Sequence, residues 1–390
     1  MKKQISILGA FALCAASALA LTVEVKNYGT ASSGESVEQY VLKNDNGMSV
    51  KAITYGATIT EISAPDKFGE FDNVVLNLPD LAAYESNKNY ICPIVGRFGN
   101  RLANSQFKIG EKTYTVDANE GKNSLHGGKL GFNRKIWKAE AVKGKNFAGV
   151  KMTLKSPDGE MGFPGNMNVE VFYKLDNQNR FSIEYRATTD KPTVCNLTWH
   201  PYFNLAGAGN GSILTHHFYV NAKQISEVDE GLIPTGKLIC VKDTPFDFTA
   251  EGRAVGERLT PQHSHPQLKI PMTGGAYDHN FILDKPVDEM GIACKITCQK
   301  SGRVLTIKTQ EPCLQFYSGQ GFDGTVIGAN GKAYYKHAGM VVEPQHAPDQ
   351  PNQPNFFPST LLTPGEVFTS VSIYEFGTTS GVKPKGSFLF

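Results

Sequence analysis

Two histidines and a glutamate stand in unusually apolar or glycine-rich surroundings. His200 lies inside "NLTWHPYFNL", residues 196–205. His126 precedes Gly127-Gly128, and Glu343 closes the apolar run of "VVEPQ". Imidazole and carboxylate are the groups that most often move protons in catalysis. A carboxylate beside a buried strand needs a partner or a function. Planar polar side chains accompany them: Asn100 and Arg101 in residues 96–128, Asp278 in "GGAYDHNFIL" and Gln315 in "EPCLQFYSGQGFDG". Such groups hydrogen-bond hydroxyls, and the faces of Tyr202, Phe203 and Tyr317 can lie against C–H surfaces. The combination suits a neutral polyhydroxy ligand, with a histidine and a glutamate on opposite sides exchanging protons with it.

Each residue alone also has a plain structural reading. A lone histidine packs in a core, Arg101 makes an ion pair, and Asp278 caps a turn. His216-His217 and His263-x-His265 are weak metal fragments, because no zinc-type spacing accompanies them.

The elements that must position these residues read as strands. Phe181, Ile183, Tyr185 and Ala187 alternate with polar neighbours, as do Met167, Val169, Val171, Tyr173 and Leu175. Period-two alternation gives strands with one buried face. Turn signals such as Asp45-Asn46-Gly47 and Ser301-Gly302 separate them. Helical periodicity is scarce outside a short piece around Pro79 to Ser86. The expectation is an all-β chain, with antiparallel sheets stacked on one another in one large domain over residues 21–390.

Residues 1–20 read as a secretory signal peptide. Lys2 and Lys3 precede an uncharged apolar run, and Ala18-Leu19-Ala20 is a small-x-small cleavage signal. Cys14 does not make a lipoprotein signal, since Leu13 stands where a small residue is needed. A periplasmic or secreted bacterial protein is expected, with no membrane span after cleavage. The net charge is +2 over 390 residues with no basic or acidic block, which gives nucleic acid and anionic membranes no purchase. Six cysteines follow the leader without a disulfide framework or a Cys-x-x-Cys, so buried free thiols are expected.

Several strings, in order, resemble the aldose 1-epimerase, or galactose mutarotase, family: "YGATITEISAPDKFGEFDNVVL", "GRFGNRL", "NSLHGGKLGFNRKIW", "SPDGEMGFPGNMNVEVFYKL", "LTWHPYFNLAG", "YDHNF" and "FFPSTLLTPGE". The resemblance runs from about Tyr55 to Phe376. It implies a large antiparallel β-sandwich of stacked, twisted sheets, a supersandwich with a sugar cleft on one face. It implies interconversion of the α and β anomers of a free aldose without a cofactor; a monomer or homodimer is expected, the sequence itself not choosing between them. Glu343 matches the general base on the C1 hydroxyl and His200 the general acid on the ring oxygen. His126, Arg101, Asp278 and Gln315 match sugar contacts, with Asn100 beside Arg101. The chemistry implies an ionised Glu343 and a protonated His200 in the free enzyme, the latter helped by a nearby carboxylate. Trp199 stands where the family commonly has Asn, and with Pro201 it flanks His200. In a strand both would face away from it. Three other readings stand beside this one: an epimerase of another aldose or of a sugar phosphate, which would draw on Arg101, Arg97 and Lys129; a non-catalytic sugar-binding protein; and a metal hydrolase built on His126, His200 and Glu343.

Overall fold

The computed structural model describes residues 21–353, 356 and 358–380. The leader-like residues 1–20 lie outside them. The alternating segments are strands, and nearly all pair antiparallel. Met167–Asp176 and Arg180–Thr189, the clearest alternators, lie side by side in an eight-stranded sheet. Its order is Lys138–Lys143, Phe147–Ser156, Met167–Asp176, Arg180–Thr189, Phe368–Thr378, Arg303–Thr309, Gly291–Thr297, His217–Val220. A second sheet of six strands runs Tyr202–Phe203, Met340–Gln345, Cys313–Tyr317, Asp278–Leu283, Ala222–Val228, Pro234–Cys240. A five-stranded meander, Thr22–Thr30 through Phe71–Asn73, makes a third. The helical piece forms as Leu81–Ser86, where Asp80 caps the start by accepting from the Ala83 amide.

Sheet packing explains why the six-stranded sheet is apolar on one face and polar on the other. Successive side chains in a strand point to opposite faces. Phe316 pairs with His279 on one side and Val342 on the other. Its ring lies 4.5 Å from Phe218 of the eight-stranded sheet, with Tyr277 and Phe248 also around it. That face is core. One residue along, Asn280, Gln315 and Glu343 pair in a row across three strands and share the opposite face.

Trp199 is fully buried and packs edge-on against Phe181, Phe203 and Tyr374. Its indole Nε1–H donates to the Cys92 carbonyl at 2.9 Å. It therefore supports His200 from the core side. The six cysteines are free, but Cys240 is exposed, contrary to the expectation that all would be buried. It lies at the end of Pro234–Cys240, the outermost strand of its sheet, which explains the exposure.

Candidate active site

His200 is at an irregular joint between two short strands. Thr198–Trp199 pairs with Ile94–Val95, and Tyr202–Phe203 pairs with Val341 and Met340 beside the Glu343 segment. The His200 amide donates to the Pro93 carbonyl, and its own carbonyl accepts from Cys92. The asparagines flanking the histidine string are clamps. Asn196, fully buried, donates to the carbonyls of Gly99 and His346 and accepts from the His346 amide at 3.0 Å. Asn204 donates to the carbonyls of Gly211 and Ala338. Asn196 thereby ties the His200 segment to Asn100 on one side and to Glu343 on the other.

His126 arrives on Ser124–Leu125, a two-residue strand paired with Arg101–Leu102. The following glycine is obligatory. At φ 86°, a Cβ on Gly127 would stand 2.0 Å from the Gly96 carbonyl oxygen. The His126 Nδ1 accepts from the Asn100 amide at 3.1 Å. The neutral ring therefore carries its proton on Nε2 and offers the cleft a donor.

These two histidines and Glu343 converge, each presenting an atom within 4.8 Å of the others. The imidazoles meet edge to face at 5.2 Å between centroids. Tyr90 packs against both, 4.7 Å from His126 and 5.9 Å from His200, and the sequence reading missed it. Its position, φ 51° in the left-handed region, carries no sequence signal for a non-glycine residue.

Polar groups line the rest of the cleft. Gln315 Nε2 donates to Asp278 Oδ1 at 2.6 Å, and the Arg101 Nη1 lies 4.0 Å from Asp278 Oδ2. Glu120, also missed, takes both other edges of the Arg101 guanidinium, at 2.7 and 2.8 Å. Asn280, between Gln315 and Ser226, was likewise missed, although it lies two residues after Asp278 in the string that was singled out. Buried polar atoms normally have partners. Here Glu343 Oε1, Gln315 Oε1, Asn280 Oδ1 and His200 Nδ1 have none, all in one neighbourhood. The site is built for polar contacts that the protein itself does not make.

Electrostatics bear on the expected charge state of the pair. Burial pushes the His200 imidazole down to about 4, against a smaller pull upward from the carbonyls of His200 and Tyr90. Burial and the nearby Asp278 raise Glu343 well above the usual carboxylate range, opposed by Arg101. His126 is driven well down by burial, His200 and Arg101. Both charges of the pair expected from sequence, an imidazolium at His200 and a carboxylate at Glu343, are therefore disfavoured in the free site. Desolvation disfavours both charges at once.

The donor set also bears on the other readings. A metal would need a lone pair from each imidazole, but the His126 Nδ1 lone pair is occupied by the Asn100 amide and its Nε2 carries hydrogen. Arg97 is buried and spends its donors on Ser156, Pro157 and Pro164, and Lys129 is exposed beside Asp117. Neither joins Arg101 in a phosphate cradle. His216 accepts from the Leu205 amide, His265 from the Gln267 amide, and His217 and His263 bond to Gln299 and Thr260. These are structural uses. A groove of about 640 Å³ on the eight-stranded sheet is lined by His217, Tyr219 and Lys295 among others, with Lys295 paired to Glu251.

A family model described as aldose 1-epimerase matches residues 38–375. The galactose mutarotase of Mus musculus is 39% identical over 345 residues, spanning 88% of this chain and 95% of that protein. The aldose 1-epimerase of Escherichia coli (strain K12) is 34% identical over 347 residues, spanning 89% and 97%. The crystal structure of galactose 1-epimerase from Lactobacillus acidophilus NCFM superposes with a TM-score of 0.80 at 28% identity, covering 92% of this chain and 99% of that one.

Proposed function

The chain belongs to the aldose 1-epimerase family and is an isomerase, and from that premise we propose that it interconverts the α and β anomers of free hexoses such as glucose and galactose in the cleft between His200 and Glu343. One observation carries the reading: a buried carboxylate and a buried imidazole, both with unpartnered atoms, face each other within 4.8 Å on a floor of hydroxyl-binding groups.

The pair needs one proton between them. A base removes the proton from O1, the C1–O5 bond breaks as C1=O1 forms, and an acid protonates O5. The open aldehyde turns about C1–C2, and the same steps in reverse close the ring on its other face. Glu343 is the base on O1 and His200 the acid on O5. The sugar itself favours this charge distribution. An O1 hydroxyl donating to Glu343 stabilises its carboxylate, and O5 accepting from His200 stabilises its imidazolium. Binding thus shifts the shared proton from Glu343 to His200 and arms both groups. His126 supplies a fixed N–H to a sugar oxygen. Arg101, Asp278 and Gln315, with Asn100 behind them, hold the hydroxyls. The neutral character of this floor, with Arg101 paired to carboxylates, favours a free sugar over a phosphorylated one.

Polarimetry on freshly dissolved α-glucose and α-galactose tests this, with wild type and Glu343→Gln side by side. The wild type should speed the approach to anomeric equilibrium well beyond buffer, and Glu343→Gln should lose that acceleration. A wild type no faster than buffer on either sugar removes the substrate assignment. A fully active Glu343→Gln removes the base assignment.

A further inference from the structure

Arg101 has two faces in this site, and only one is directed at the ligand-binding groups. Its Nε and Nη2 donate to the two oxygens of Glu120 at 2.7 and 2.8 Å, while Nη1 stands 4.0 Å from Asp278. The guanidinium is buried, so it cannot trade these contacts for water. Glu120 is itself held. Its amide and carbonyl exchange hydrogen bonds with Asn123 at 3.0 Å, in a tight turn on the segment that continues into His126. The strand after that turn pairs Leu125 with Arg101. The chain that delivers one cleft histidine therefore also delivers a carboxylate to the rear edge of the cleft arginine.

We propose that Glu120 is a positioning residue for the epimerase reaction: it holds the rear edge of Arg101 so that only Nη1 meets the cleft, and it counterbalances the arginine's charge around the proton-sharing pair. This rests on the epimerase reading above. Two consequences follow from geometry. Without Glu120, the nearest carboxylate to the buried Arg101 is Asp278, already 4.0 Å away. A two-oxygen grip on Asp278 would draw that carboxylate off the sugar and displace Gln315, which now donates to it. The second consequence is a field effect. The charged and titratable groups around Glu343 are His126, His200, Asp278, Arg101 and the phenols of Tyr202, Tyr185 and Tyr374. Arg101 is the permanent cation among them, and Glu120 is the anion bonded to it. Removing that anion makes the cleft more positive, which lowers the affinity of both Glu343 and His200 for protons.

The experiment is kcat and KM for galactose across pH, by polarimetry, for wild type, Glu120→Gln and Glu120→Asp, with melting temperatures of all three. Glu120→Gln keeps one oxygen acceptor and loses the charge. KM should rise about tenfold, the scale of one charged hydrogen bond. Both limbs of the kcat/KM profile should move to lower pH, by about half a unit given the partial exposure of the pair. Glu120→Asp, which restores the charge, should bring the limbs back toward wild type. Unmoved limbs in Glu120→Gln overturn the proposal even if kcat or melting temperature falls, because a structural role alone produces that pattern. An active wild type with an unchanged Glu120→Gln sinks this inference and leaves the epimerase reading standing. An inert wild type sinks both.

Discussion

On the proposed mechanism Glu343 and His200 share one proton, and the pH behaviour follows from where it sits. Burial holds His200 at about 4 and Glu343 well above the usual carboxylate range. Below about pH 4 a second proton reaches the pair and no base remains. As pH rises through the elevated value of Glu343, the last proton leaves and no acid remains. The expected kcat/KM profile is a bell with its acid limb near pH 4 and its alkaline limb at the raised Glu343 value, both belonging to the pair as a unit. An acid limb near 6.5, the ordinary histidine value, would mean that burial does not control His200 in the free enzyme. Glu343→Gln leaves no shared proton and should cost about 10²–10⁴-fold in kcat. His200→Asn should cost a similar factor, since each group is useless without the other. The sequence made these residues legible by type, because a carboxylate and an imidazole are conspicuous among valines and aromatics. It could not reveal their charge. Protonation depends on how completely the rest of the chain excludes water, and that is a property of the packed sheets.

The elements hold the pair through short pieces that no periodicity marks. Long alternating strands such as Met167–Asp176 were readable because each has one wet and one dry face. The site strands were harder. Met340–Gln345 is buried on both faces, so its run is continuous rather than alternating. Thr198–Trp199 and Tyr202–Phe203 are two residues each. His200 therefore sits at a joint rather than inside a strand, held by Asn196 at one end of its segment. That residue predicts a test. Asn196→Ala deletes bonds to Gly99 and to both backbone groups of His346, in a position with no access to water. Each buried group left unpaired costs about 1–3 kcal/mol. The melting temperature should fall, and kcat should fall with it, because the clamp spans the Asn100, His200 and Glu343 segments. Unchanged kcat in protein that still folds would show that these segments are held by strand pairing alone. Glu120 and Tyr90 escaped the sequence reading for a related reason. Their partners, Arg101 and the two histidines, lie across loops whose path is set by tertiary packing.

At the scale of the whole molecule, the sheets bury a second ionisable pair away from the cleft. Three residues beyond Glu343, the His346 Nδ1 lies 2.7 Å from Glu311 Oε2, with both side chains largely out of water. Burial pulls the His346 pKa down, but the Glu311 carboxylate outweighs it and the net shift is upward. A histidine whose pKa is raised by folding adds stability below its unfolded value, about 6.5, and that stability disappears as pH rises through the folded value. Above that point the charge contribution of His346 to this buried pair is gone. Melting temperature measured from pH 5.5 to 9 should therefore fall on the alkaline side for wild type. His346→Gln should be the less stable protein at acid pH, and its gap from wild type should close as pH rises. A gap that stays constant across the range would mean that His346 contributes packing and a neutral hydrogen bond, with no ion pair.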